Sequence, residues 1–86
     1  IVNVREPHRV MIRVRLFASL RERIGFSERE IPAESGLTAS DVWARVAGDR
    51  ALPDQVRVAI NARYANAGDP VDDGDEVAFF PPVTGG

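Results

Sequence analysis

Glu76-Val77-Ala78-Phe79-Phe80-Pro81-Pro82-Val83-Thr84-Gly85-Gly86 closes the sequence and divides into two parts of different character. Glu76 to Phe80 alternates, with Val77 and Phe79 on one face and Glu76, Ala78 and Phe80 on the other, the period of a strand. Pro81 and Pro82 hold φ near about −65° and disfavour helix in the residue before each, so the chain leaves that strand extended and stiff. At roughly 3.1 Å per residue, Pro81 to Gly86 reaches on the order of 19 Å, enough to enter a partner. Thr84, Gly85 and Gly86 end in a carboxylate whose ordinary pKa is about 3.3–3.7, so at neutral pH it is ionised and a poor electrophile. Something else must activate it. The two glycines, lacking side chains, suit passage through a narrow channel. The competing reading is a frayed end that happens to stop after glycine.

Working upstream, Asp72-Asp73-Gly74-Asp75 is a turn signal ahead of the last strand. Its carboxylates lack the twelve-residue spacing and flanking helices of an EF-hand, so a solvated turn is expected rather than a calcium loop. Val56, Val58 and Ile60 alternate with Arg57, Ala59 and Asn61 and read as a further strand. Asn61 to Ala67 turns the chain, with Tyr64 either a short edge strand or an exposed contact. Thr38-Ala39-Ser40-Asp41 has the form of a helix start, Thr38 capping and Asp41 placing negative charge at the free N–H groups. Leu37 and Val42 are spaced as a hydrophobic staple. Val42, Trp43 and Val46 form the buried stripe, and Gly48 stops the helix. Trp43 is expected in the core rather than as a ligand platform.

From Met11, the residues Ile12, Val14 and Leu16 alternate with Arg13, Arg15 and Phe17, giving a first strand. Ser19 to Ile24 reads as a charged loop, Gly25 as a turn, and Ser27 to Ile31 as a second strand ended by Pro32, antiparallel to the first. Ile1 to Val10 has no period and holds His8, the single histidine; it is expected to be a disordered leader or a non-native extension. The organisation predicted is therefore a leader over 1–10, one folded domain over 11–80 and an extended tail over 81–86. Its order of strand, strand, helix, strand, short strand and final strand points to an α+β domain of two layers.

Composition narrows the chemistry. With 86 residues there is room for one small domain. Cysteine is absent, which removes disulfides, thiolate metal sites and a thiol nucleophile. The net charge of −2 gives no electrostatic footprint for nucleic acid. No apolar run is long enough for a membrane span and no signal-peptide pattern opens the chain, so a cytoplasmic location without membrane association is expected. All 11 basic side chains are arginine, so the chain cannot accept an isopeptide link on a side chain of its own. No phosphate-binding glycine loop, Ser/His/Asp set or metal-ligand cluster stands in the sequence, and the chain is not expected to be an enzyme by itself. Phe80, beside the tail, is either an exposed anchor for a partner or an edge aromatic folded onto its own domain.

The run Asp73 to Gly86 closely resembles the end of the MoaD/ThiS sulfur-carrier family, in particular its molybdopterin synthase small subunits. Met11-Ile12-Arg13-Val14-Arg15-Leu16-Phe17-Ala18 is similar to that family's first strand, and Ala59-Ile60-Asn61 to its central one. The resemblance spans Met11 to Gly86. It implies a β-grasp, ubiquitin-like fold: a mixed sheet of four to five strands packed against one main helix. It also implies that a MoeB-like adenylyltransferase uses ATP to convert the Gly86 carboxylate to an acyl adenylate, and that a sulfur donor then makes it a thiocarboxylate. The MoaE-like large subunit would take that sulfur for the dithiolene of molybdopterin. On the same grounds Gly86 carries the reactive group, Gly85 and Thr84 give the tail access, and Phe17, Phe80, Pro81, Pro82 and Val83 meet the partner. No cofactor is expected on this chain itself, since ATP is consumed by the activating partner. A ThiS-like carrier for thiamine synthesis and a ubiquitin-like protein modifier are the alternatives.

Overall fold

The computed structural model describes residues 11–48 and 51–82. Five strands and two helices follow one another as β1 (Met11–Leu16), α1 (Ser19–Ile24), β2 (Glu28–Pro32), α2 (Ala39–Ala47), β3 (Arg57–Ile60), β4 (Arg63–Ala65) and β5 (Glu76–Phe80). They form one mixed sheet in the order β2-β1-β5-β3-β4. The last strand thus enters the middle of the sheet. It runs parallel to β1, with Val14 opposite Val77 and Leu16 opposite Phe79. It runs antiparallel to β3, with Val58 opposite Phe79 and Ile60 opposite Val77.

Strand alternation decides which residues are covered. Ile12, Val14, Leu16, Val58, Val77 and Phe79 all point to one face and are buried there, joined by Ile31 from the edge strand β2. The stripe of α2 closes that face with Ala39, Val42, Trp43, Val46 and Ala47. At the centre the Trp43 and Phe79 rings meet edge-on, with centroids 5.1 Å apart and planes at 68°, the arrangement favoured by the ring quadrupoles. The expected inward set of the last strand, and Trp43 as a core residue, are both found.

Why α2 begins where it does can be followed donor by donor. A helix leaves its first N–H groups without internal acceptors. Here Ala39 N donates to the Asp69 carbonyl at 3.0 Å and Ser40 N to the Ala67 carbonyl at 2.9 Å. Asp41 N donates to Thr38 Oγ1 at 3.2 Å, while Thr38 N donates back to Asp41 Oδ2 at 2.9 Å. The capping box expected at Thr38 and Asp41 is complete, and the loop before β5 supplies the remaining acceptors. Leu37 and Val42 are both buried at this end. At the other end Gly48 takes φ 78°, and its N–H donates to the Ala44 carbonyl, a left-handed cap that glycine adopts without a steric penalty.

Two expectations change. Ser19–Ile24, read as a charged loop, is a short helix. Leu20 is buried, and Ile24, one turn on, packs half-buried against the core, but two apolar positions in six residues are too short a run to mark a helical period. The second strand also lies one residue later than expected, because Pro32 pairs with Met11 at the sheet edge, where a missing N–H is tolerated. The acidic turn behaves as expected of a turn. Asp73 Oδ1 accepts from Met11 N at 3.1 Å, and Asp75 Oδ2 accepts from Asp72 N at 2.8 Å. Gly74, at φ 87°, donates its N–H to the Met11 carbonyl at 2.8 Å. With a five-stranded mixed sheet on one main helix, the fold is a ubiquitin-like β-grasp.

Candidate partner-binding surface

The face of the sheet turned away from α2 carries the second set of alternating residues. Following the register from β1 to β4, Arg15 stands opposite Ala78, Ala78 opposite Ala59, and Ala59 opposite Tyr64. Two alanines at neighbouring central positions leave the middle of this face low. Larger side chains flank it, since Phe80 follows Ala78 by two residues on the same face and Phe17 continues β1. Phe17 N donates to the Phe79 carbonyl at 3.2 Å, which ties the end of β1 to the end of β5. Ala18 then takes φ 54°, turning the chain into α1 and leaving the Phe17 ring 41% exposed. Phe17, Ala59, Ala62, Ala78 and Phe80 line a depression of about 480 Å³, with Asn61 and Glu76 at its polar end.

Polar contacts brace this surface. Arg15 reaches Glu76 at 3.2 Å, and its guanidinium lies 5.5 Å from the centre of the Phe17 ring, so the cation sets the rim of the patch. Asn61 occupies the first position of a two-residue hairpin turn and takes φ 53°, with Ala62 next at φ 69°. Its side chain joins β3 to the start of β5. Nδ2 donates to Asp75 Oδ1 at 2.9 Å and Oδ1 accepts from Glu76 N at 3.0 Å. The family-like Ala59-Ile60-Asn61 is thus a floor residue, a core-side residue and a clamp.

The residues expected to meet a partner fall as follows. Phe17 and Phe80 line one depression. Phe80 is half-buried, its ring centroid 6.0 Å from that of Tyr64, so the two readings of this residue meet: it rests partly on its own domain and partly faces outward. Pro81 and Pro82 follow directly from the middle of the sheet and are also half-buried. Val83, Thr84, Gly85 and Gly86 lie outside the described residues. Tyr64, expected as a short edge strand or an exposed contact, belongs to the surface as well. It is 78% exposed and sits on the edge strand opposite Ala59. Only the register places it beside Phe80, and that register depends on a two-residue turn at Asn61-Ala62.

With this surface in view the comparisons with known proteins become specific. The ThiS family model matches residues 14–86. The chain belongs to the ThiS family. Within that family it is 39% identical to the molybdopterin synthase sulfur carrier subunit of Escherichia coli, over 88% of this chain and 100% of that protein. Among solved structures it is similar to SAMP1 of Haloferax volcanii, with TM-score 0.75 and 28% identity over 88% of this chain and 99% of that one. It is also similar to a chain in the complex of subunits 1 and 2 of the molybdopterin-converting factor of Helicobacter pylori, with TM-score 0.58 and 26% identity over 88% of this chain and 99% of that one. In this ThiS-family chain Pro81 and Pro82 follow Phe80 beside an uncovered aromatic surface. Among the described residues no helix is long and apolar enough to cross a membrane.

Proposed function

We propose that this chain is the sulfur-carrier small subunit of a molybdopterin synthase, acting in the cytoplasm and catalysing nothing by itself. The observation that carries the reading is the course of β5: its last residue, Phe80, lies on the uncovered face, and the sequence continues at once through Pro81 and Pro82 to Gly86. The likeness to a carrier subunit along its whole length supports it. In the proposed cycle an adenylyltransferase joins the Gly86 carboxylate to the AMP of ATP, releasing pyrophosphate. A persulfide or sulfide donor then displaces AMP and leaves a thiocarboxylate, the reductant for a persulfide donor coming from that donor's own system. The large subunit would seat Phe17 and Phe80, receive the tail, and take from each carrier one of the two sulfurs of a dithiolene, so that two loaded chains are used; hydrolysis of the acyl link returns each carboxylate. Dividing the transfer in this way avoids attack by sulfur on an ionised carboxylate.

The test is intact mass after incubation with the adenylyltransferase, ATP and a sulfur donor. A gain of about 16 Da is expected, one oxygen replaced by one sulfur. One residue added after Gly86 should abolish the gain and leave the fold unchanged; a gain that persists in that variant would overturn the reading. The likeness to SAMP1, titled a small archaeal modifier protein in a second Haloferax volcanii structure, favours a second reading as a protein modifier. In that case the products would be other proteins enlarged by the mass of this chain.

A further inference from the structure

Three arginines stand on the uncovered face, and they are not equivalent. Arg13 meets Glu28 at 3.1 Å and Glu30 at 3.9 Å, and Arg15 meets Glu76 at 3.2 Å. Arg57 is exposed and stands opposite Phe80 in the β3–β5 register. Among the described residues it forms no ion pair or hydrogen bond through its side chain. It lines a second depression of about 570 Å³ together with Leu52, Pro53, Val56, Tyr64 and Phe80. Asp54 also lines this depression, yet it is not paired with Arg57. Phe80 lines both depressions, so its ring divides them.

We propose that Arg57 receives a carboxylate side chain of the large subunit, in the depression on the far side of Phe80 from Phe17. The inference rests on the docking proposed above and names the chemistry the partner must bring to it. A protein large enough to seat Phe17 and Phe80 and take in the tail also covers Arg57, which is one strand from β5. Covering a guanidinium without a counter-charge strips its water and leaves the charge uncompensated, so a matched partner supplies an anion there. The planar fork of arginine suits a carboxylate held by two parallel hydrogen bonds. The walls of Leu52, Pro53, Tyr64 and Phe80 suit the aliphatic stem of Asp or Glu. Arg13 and Arg15, already neutralised within the chain, make no such demand. Arg57 therefore sets orientation and partner choice, while Phe17 and Phe80 supply contact area.

Association of the full chain with its cognate large subunit, followed by stopped flow from about 0.05 to 0.5 M salt, tests this. Arg57→Glu is expected to slow association about tenfold at low salt and Arg57→Gln less, both differences shrinking as salt rises. Replacing one acidic residue of the large subunit by arginine should restore the rate for Arg57→Glu and for no other variant. Thermal melting, expected to be unchanged, separates these effects from misfolding. Equal rates for all three chains at every salt concentration, with Phe80→Ala still impaired, would overturn the role of Arg57 and leave the docking intact. If Phe80→Ala and Phe17→Ala also bind normally, the docking itself fails. A loss seen only with the adenylyltransferase would overturn the assignment to the large subunit.

Discussion

The two faces of this sheet are made by the same five strands, yet they obey different rules. Toward α2, Val14, Val77 and Phe79 are 0% exposed, and each change of shape there is felt by neighbours already in contact. On the other face Ala59, Ala78, Phe80 and Tyr64 leave hollows that nothing among the described residues fills. Phe79 and Phe80 are consecutive, share a backbone and differ only in direction. One is a core residue and its neighbour a half-buried residue of the open face, a division that strand parity makes.

Substitution at that pair is the most direct way to break the comparison. Phe79→Ala, which removes the ring against Trp43, should cost about 3–5 kcal/mol in urea unfolding. A loss below about 1 kcal/mol would mean that the inward face is not the tighter one. Phe80→Ala should instead weaken binding to the large subunit by about 1–2 kcal/mol in calorimetry, with little change in unfolding. Were its main effect on unfolding, Phe80 would belong to its own domain. Next in size is Thr38→Ala, which opens the cap of the covering helix and should cost about 1 kcal/mol. On the hairpin beside the open face, Ala62 holds φ 69° with a side chain. Ala62→Gly should relieve about 1–2 kcal/mol of left-handed strain, offset in part by about 0.4–1 kcal/mol because glycine loses more chain freedom on folding, for a net gain of about 0.5–1 kcal/mol in urea.

The smallest effect is a pH dependence at the surface. Arg45 donates to Glu34 at 2.9 and 3.2 Å. The hydrogen bond first, and the guanidinium charge second, hold the Glu34 carboxyl below its usual 4.5. Because the folded value is depressed, the pair's contribution is present above the unfolded value and is lost as pH falls through the folded one. Wild type and Glu34→Gln should therefore differ slightly in urea midpoint near pH 6 and converge well below pH 4. Both side chains are solvated, so screening by salt should shrink even the difference at pH 6.

Much of this was legible before any coordinates, and the gaps have physical causes. The inward residues of β1, β3 and β5 follow from alternation, and the start of α2 from Thr38 and Asp41, because each signal is local. Strand order is not local. That β5 lies between β1 and β3 came only with the structure, since periodicity says which face a residue takes but not which strand lies beside it. The short helix Ser19–Ile24 escaped because Leu20 and Ile24, one turn apart in six residues, are too short a run to mark a helical stripe. Tyr64, expected as a short edge strand or an exposed contact, is both, and only its neighbours were left open. The turn before it has alanine where a two-residue hairpin ordinarily has glycine, so the register that sets Tyr64 opposite Ala59 could not be fixed. Gly86 and its neighbours were read from sequence alone.

The central position of β5 has a mechanical consequence. Traction on a segment that continues from Phe80 is resisted on both flanks, by the β1 ladder and the β3 ladder together, in shear along their length rather than by peeling one bond at a time. An edge strand in the same role would unzip. A partner that drew on the end of this chain would therefore pull against two ladders at once, and the load would spread across the sheet.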